Sequence, residues 1–375
     1  MKKVFFYCQH LLGIGHVTRS LSIVNELALE FDVTYVQGGP PVPLKPLPSV
    51  RVVQLDPLLM READSSLYDP NGARSPEEIF ARRALVLEEL AAEGFDAGVI
   101  ELYPFGRKKF GPEVQALLKA ARAKNSEFRA ACSVRDILVE KNDSAKRNQK
   151  IAATVREFFQ AVWVHSDPNL ILFSDTFSET SLIADRLSYT GFVAEPTKPA
   201  AAMRAPKIVL SLGGGSVGEE LFRAAAKTVA HFNDFQFLFV SGPYTPPALL
   251  EDLKRELAPY GSRVAFSGLL PNFEQVLAES RLSLSMAGYN TVMNLLNTRT
   301  PGLVLTYDAN GEQLMRASLL ESRGYLGVLR PEDLSPERLQ ARMEAALSSS
   351  YPAALPDLKG ALNSRLAMRA LLSEK

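Results

Sequence analysis

Short apolar runs alternate along this chain with longer stretches whose apolar residues recur every three or four positions. The short runs read as buried strands, the longer ones as helices packed by one stripe. In the first half the strands are expected at residues 4–8, 33–37, 51–55, 97–100, 129–133 and 161–165. Helices are expected over 16–30, 76–93, 113–123 and 143–160. Val17, Leu21, Val24 and Ala28 mark the stripe of the first helix. Strands that alternate with helices pair in parallel, because each crossover must pass over a sheet face. The expected class is therefore α/β, with a parallel sheet covered by helices on both faces.

Residues 191–206 interrupt this pattern with Pro196, Pro199 and Pro206 and a run of small residues, the composition of a linker. The alternation then restarts, with strands over 207–212, 235–241, 264–267, 282–286 and 303–307. Helices are expected over 217–230, 247–257, 273–280, 291–298, 312–322 and, at the end, 353–373. The expected domains are 1–190, a linker 191–206, 207–350, and a terminal helix 351–375 that packs back on the first domain. At 375 residues each domain can bury its own core. Two doubly wound, Rossmann-like domains facing a cleft would bind ligand at the carboxyl ends of their strands.

Composition narrows the partners. Lysine plus arginine number 42, aspartate plus glutamate 42. With no basic excess, nucleic acid is not expected as the main partner. Cys8 and Cys132 lie in apolar runs and read as buried free thiols, not a disulfide framework. The first residues enter a strand directly, and no apolar run reaches about 18 residues, so no membrane span is expected and the cytoplasm is the expected location.

Two glycine turns stand at strand-to-helix junctions. Gly13-Ile14-Gly15-His16 follows the first strand, and Gly213-Gly214-Gly215-Ser216 follows the strand at 207–212. Each would aim helix N-terminal amides at an anion. His16 at such an N-terminus stays neutral near pH 7 and can act as a general base, because the dipole disfavours the imidazolium. Arg19, one turn on, would hold a phosphate or an acceptor carboxylate. Glu101 and Asp136 would orient that base or bind sugar hydroxyls. Arg107-Lys108-Lys109 would receive an anionic acceptor or a lipid headgroup. Tyr103, Arg135, His10 and His165 share the same strand ends, as do Ser241, Gly268, Leu269 and Ala287 in the second half. No H-E-x-x-H, paired CxxC or clear Asp-x-Asp is present, so no metal site or cofactor is expected. The G-x-S-x-G elbow and the P-loop pattern are also missing.

These residues resemble a known group. Gly13-Ile14-Gly15-His16-Val17-Thr18-Arg19 is similar to the N-terminal loop of GT-B glycosyltransferases related to the lipid II N-acetylglucosaminyltransferase. Gly213-Gly214-Gly215-Ser216 resembles their second glycine loop, and residues 285–292 with Pro301 their nucleotide-binding loop and helix. Glu312-Gln313 resembles the pair that holds the donor sugar. Residues 101–107 and 133–138 look closer to a bacterial branch of predicted glycosyltransferases of undefined substrate. The resemblance implies inverting, metal-independent transfer of a sugar from a nucleoside diphosphate sugar, UDP favoured, to a hydroxyl of a small or lipid-linked acceptor. His16 or Glu101 would deprotonate that hydroxyl. Arg19, Tyr103, Arg107, Arg135 and Asp136 would lie on the acceptor side. Gly15, Gly214, Gly215, Ser216, Ser241, Gly268, Leu269, Ala287, Gly288, Asn290, Thr291, Asn294, Glu312 and Gln313 would lie on the donor side, Ser216 and 288–291 at the diphosphate.

One position departs from that pattern. Asn294 stands where the group usually places a glutamate to grip both ribose hydroxyls, and an amide offers one acceptor oxygen where a carboxylate offers two. Two other readings stay open: a nucleotide-sugar hydrolase in which His16 activates water, and a non-catalytic homologue, to which Asn294 lends its support.

Overall fold

The structure, a computed structural model, describes residues 1–11, 15–61, 64–138, 145–194, 204–214, 217–307 and 311–373. It divides into two compact units, Met1–Val193 with Pro356–Lys375, and Ala194–Leu355. Gly13, Gly215, Ser216 and the 195–203 part of the linker lie outside the described residues.

In the first unit β1 (Lys3–Cys8), β2 (Asp32–Gln37) and β3 (Arg51–Gln54) are followed by a small antiparallel hairpin, β4 (Leu59–Met60) and β5 (Leu67–Tyr68). The sheet continues with β6 (Ala97–Glu101), β7 (Arg129–Arg135), β8 (Ala161–His165) and β9 (Leu187–Tyr189). Its seven strands run in the order β3-β2-β1-β6-β7-β8-β9, all parallel. Helices α1 (Gly15–Leu27), α2 (Pro76–Ala92), α3 (Gly111–Lys124) and α4 (Ala145–Phe158) cover it. Alternate residues of β1 serve different cores, as the pleat requires. Phe5 and Tyr7 pack with Leu87 and Leu90 of α2 and Val114 and Leu117 of α3. Val4, Phe6 and Cys8 pack with Val17, Leu21 and Val24 of α1 and with Met368 and Leu371 near the end of the chain.

The second unit has six parallel strands: β10 (Ala205–Ser211), β11 (Gln236–Val240), β12 (Val264–Ser267), β13 (Ser280–Met286), β14 (Gly302–Leu305) and β15 (Gly327–Leu329). Their order is β12-β11-β10-β13-β14-β15. Ile208 and Leu210 of β10 pack with Leu221 and Phe222 of α5 (Glu219–Ala226) and Leu249 and Leu253 of α6 (Pro247–Leu257). Three further helices, α7 (Phe273–Ala278), α8 (Tyr289–Thr298) and α9 (Gly311–Ser322), precede α10 (Pro336–Ser348).

Some elements differ from the sequence expectation. The helix expected over 217–230 ends at Ala226, and a 3-10 turn Val229–His231 follows. The last helix, α11 (Gly360–Ser373), starts later than 353 because Pro356 interrupts the approach to it. It packs on α1. The two-residue hairpin strands, β9 and β15 are too short for periodicity to reveal, and α10 was not anticipated.

Both strand orders reverse once. In the first sheet the chain moves outward from β1 to β3 and returns to place β6 on the other side of β1. In the second, β13 returns beside β10. The loops after such neighbouring strands diverge to opposite faces and leave a crevice at their carboxyl ends. His16 and Glu101 follow or end the first such pair, β1 and β6. Gly213–Gly214 and Ala287–Gly288 follow the second, β10 and β13.

Candidate active site

His16 is the second residue of α1 and Glu101 the last of β6. His16 Nδ1 lies 2.7 Å from Glu101 Oε1, with the His16 side chain 15% exposed and that of Glu101 fully buried. Arg19 Nη2 donates to the same Oε1 at 2.5 Å. Burial pushes the His16 imidazole down to about 4, and the charges of Arg107 and Arg19 add to this against the pull of Glu101. Burial opposes ionisation of Glu101, yet His16, Arg19 and Arg107 hold its carboxyl well below the usual range. An ionised Glu101 can only accept hydrogen bonds, so Nδ1 of a neutral His16 carries the proton and Nε2 keeps its lone pair. The ring is neutral first because it is buried, a cause the helix-dipole argument did not include.

The acceptor-side candidates separate in the structure. Arg19, expected to hold a ligand anion, is 3% exposed and paired with Glu101, because a buried carboxylate needs a counter-charge. Tyr103 is buried as well, its hydroxyl taken by Gln115 Nε2 at 2.6 Å. Arg107 spends its Nε on Gln9 O at 2.7 Å, while its charge reaches His16 and Glu101. Lys109 Nζ donates to Ser65 O at 2.5 Å. Arg135 is half-buried at the end of β7, and Asp136 is fully buried beside it. His165 is enclosed between Ser133 Oγ and Thr190 Oγ1, each at 2.7 Å, and burial pushes it to about 3. It is a core histidine.

Sequence reading missed Arg83. Its guanidinium donates from Nη2 to Glu113 Oε1 at 2.7 Å, Gln9 Oε1 at 2.8 Å and Tyr7 Oη at 3.0 Å. The signal was present, since Arg83 occupies an apolar-stripe position between Ile79 and Leu87 of α2. A charge there must find a buried partner.

In the second unit the β10 turn is built on close backbone approach. Gly213 adopts φ +60°, which favours glycine, and a Cβ on Gly242 would lie 2.1 Å from Gly213 O. Gly214 is exposed, and its carbonyl accepts from Tyr244 N–H at 3.0 Å. Ser241 Oγ donates to Ser267 O, and Gly268 and Leu269 are exposed beyond that strand end. Ala287 is buried. Gly288 caps α8, whose first turn contains Asn290 and Thr291, and nothing lies within 4 Å of a Cβ built on it. The N-terminal amides of a helix suit a diphosphate.

Three donor-side residues are already engaged. Glu312, expected at the donor sugar, is 4% exposed and paired with Arg316 Nη2 at 2.5 Å, and Arg316 stacks over the Tyr289 ring at 4.9 Å. The pair satisfies a buried arginine one turn away on α9. Gln313 Oε1 accepts from Tyr307 N–H at 3.2 Å. Asn294 Nδ2 donates to Glu274 Oε1 at 2.8 Å, so a carboxylate from α7 stands beside the position where the sequence lacks one. That carboxylate was not legible, because Glu274 is remote in sequence and unremarkable in its own helix.

With this geometry in place, the likenesses to known proteins are specific. Residues 209–359 match the glycosyltransferase family 28 C-terminal domain. UDP-N-acetylglucosamine--N-acetylmuramyl-(pentapeptide) pyrophosphoryl-undecaprenol N-acetylglucosamine transferase of Geobacillus kaustophilus is 28% identical over 182 residues, 44% of this chain and 49% of that protein. Its Clostridium perfringens counterpart is 27% identical over 138 residues, 36% of this chain and 37% of the relative. The chain thus spans under half the length of these curated relatives. Over 99% of the chain the structure resembles Acinetobacter baumannii MurG (TM-score 0.58, 14% identity, 98% of that chain). It also resembles CalG4, the calicheamicin glycosyltransferase (TM-score 0.59, 19% identity, 99% of this chain and 94% of the other). The fold is that of the GT-B glycosyltransferases, and the match to the family 28 C-terminal domain falls mainly on the second unit.

Proposed function

We propose that this protein transfers a sugar from a UDP-sugar to an acceptor hydroxyl with inversion at the anomeric carbon. The observation that carries the reading is the contact of His16 Nδ1 with the buried Glu101 carboxylate. It leaves Nε2 as a proton acceptor on a ring that stays neutral at physiological pH. The acceptor O–H proton passes to Nε2 as the new O–C1 bond forms and the C1–O bond to the diphosphate breaks. The bonding pair leaves on UDP. Amides of the Gly213–Gly214 turn and of the α8 start would take up the charge that develops there. Glu101 orients and supports the imidazolium, and Arg19 fixes Glu101. In this assignment Glu101 is not the base, because its side chain is fully buried and already accepts from Arg19.

UDP is favoured by the names of the relatives and by the similarity to LpCGTa solved in complex with UDP (TM-score 0.61, 13% identity, both chains covered in full). Metal-independent chemistry and the acceptor class rest on the resemblance of the motifs. The test is UDP release from a panel of UDP-sugars with and without acceptor alcohols, with the product anomer read by NMR. Release that depends on acceptor and gives the inverted anomer is expected. Equal catalytic release without acceptor would replace transfer by hydrolysis, with His16 activating water.

A further inference from the structure

The loop after β6 and the first half of α4 enclose a pocket of about 430 Å³ to which the proposed reaction assigns no role. Tyr103, Pro104 and Ile151 form its wall. Its charged residues are Lys108, Lys146, Arg147 and Lys150, and all four are cations. The three lysines are exposed, and none of them meets a carboxylate among the described residues. Glu157, the one acidic residue of α4, is exposed near the far end of the helix, where its charge acts on Arg122 and Tyr103.

Two observations set this cluster apart from a solvated run of lysines. Lys146 and Arg147 stand in the first turn of α4, which holds no acidic residue. The helix dipole is positive at that end, so both cations are placed against it. Lys108 comes from a different element, and burial together with the charges of Arg147 and Lys150 lowers its pKa from the usual value. Like charges gathered into a concavity from two parts of the chain focus a positive potential, which a bound anion relieves.

We propose that this pocket binds a phosphorylated small molecule, its phosphate held by Lys108, Lys146 and Lys150 and its body against Tyr103 and Ile151. Lysines act as point charges, so they select the amount of negative charge rather than a planar anion. A phosphomonoester carries about −1.5 to −2 near pH 7, whereas the phosphodiester of a phospholipid carries a single charge. A concavity of roughly 300–1,000 Å³ also suits a discrete ligand, where a bilayer needs only an open basic face. The site lies wholly in the first unit and does not depend on the sugar-transfer reading.

The test is calorimetric titration of the full-length chain with pyrophosphate and acetate at fixed ionic strength, with UDP in excess so that a donor site is already filled. Sedimentation with phosphatidylglycerol vesicles runs beside it. Pyrophosphate is expected to bind one site at least about tenfold more tightly than acetate, the worth of one further charge-assisted hydrogen bond. Lys146→Glu/Lys150→Glu should abolish that heat without lowering the thermal midpoint, because both side chains are exposed. Lys227→Glu/Lys254→Glu makes the same change of net charge at exposed positions of the second unit and should leave the heat as it is. Pyrophosphate heat that survives in Lys146→Glu/Lys150→Glu, or that falls equally in Lys227→Glu/Lys254→Glu, overturns the proposal. So does acetate binding as tightly as pyrophosphate, and so does the absence of pyrophosphate heat, whether or not vesicles sediment the protein.

Discussion

Glu101 Oε1 accepts from both His16 and Arg19, and so ties the first turn of α1 to the end of β6 across 85 positions of sequence. One carboxylate oxygen thereby sets two things, the tautomer of the histidine and the place of the arginine. The arginine compensates the buried charge, and the histidine uses it. Each of the residues has a separable role, and the roles predict different failures.

His16→Ala should lower kcat by about 10²–10⁴, the usual worth of a positioned general base, with UDP affinity unchanged. Steady-state kinetics and calorimetry with UDP check it. Turnover at the native rate would remove His16 from the reaction.

The acid limb of kcat/KM should fall near pH 4, not near 6.5, because the base must be neutral and burial lowers its pKa to about 4. The stability consequence has a fixed sign. Between about 4 and the unfolded value near 6.5 the unfolded chain binds the proton and the native ring does not, so stability falls as pH drops through that window. His165 acts in the same direction, with its native value near 3. Denaturant titrations of the native protein and of His16→Gln should therefore both slope with pH, the variant less steeply. A limb at pH 6.5 would place the base in another environment.

Arg19→Met should destabilise by about 3–5 kcal/mol, since it leaves the Glu101 carboxylate buried without its counter-charge. It should also raise the His16 pKa, because Arg19 lowers it, and move the acid limb upward. Urea unfolding and the pH profile read the two effects separately. A loss of stability without any shift of the limb would make Arg19 a structural residue alone.

Gly242→Ala should abolish UDP binding, because its Cβ would lie 2.1 Å from Gly213 O and 2.4 Å from Gly214 C and must displace the turn. Gly288→Ala should be tolerated in folding, since nothing lies within 4 Å of that Cβ. Calorimetry with UDP distinguishes them, and native-like UDP affinity in Gly242→Ala would exclude the Gly213–Gly214 turn from the donor site.

Glu274→Ala should weaken UDP about tenfold, the worth of a charge-assisted hydrogen bond, if the carboxylate beside Asn294 serves the ribose. Asn294→Glu should not tighten UDP. It sets a like charge against Glu274, whose Oε1 now accepts from Asn294 at 2.8 Å, and should lower the thermal midpoint. Tighter UDP binding in Asn294→Glu would show instead that Asn294 is a true loss.

The sequence by itself determined the alternation of strands and helices, the two α/β halves and the glycine turn that begins after β10. These are legible because apolar periodicity and glycine chemistry are local, acting within a few residues of the chain. It also placed His16 and Glu101 at strand ends, where a doubly wound sheet collects its ligands. Only the tertiary structure decided which charges meet. Arg19 turned inward to Glu101 and Arg83 to Glu113, each because a buried ion must find a partner that sequence spacing does not name. The carboxylate beside Asn294 came from α7, twenty positions away. Packing brings such pairs together, and the desolvation of their charges, which no local pattern records, makes each pairing specific.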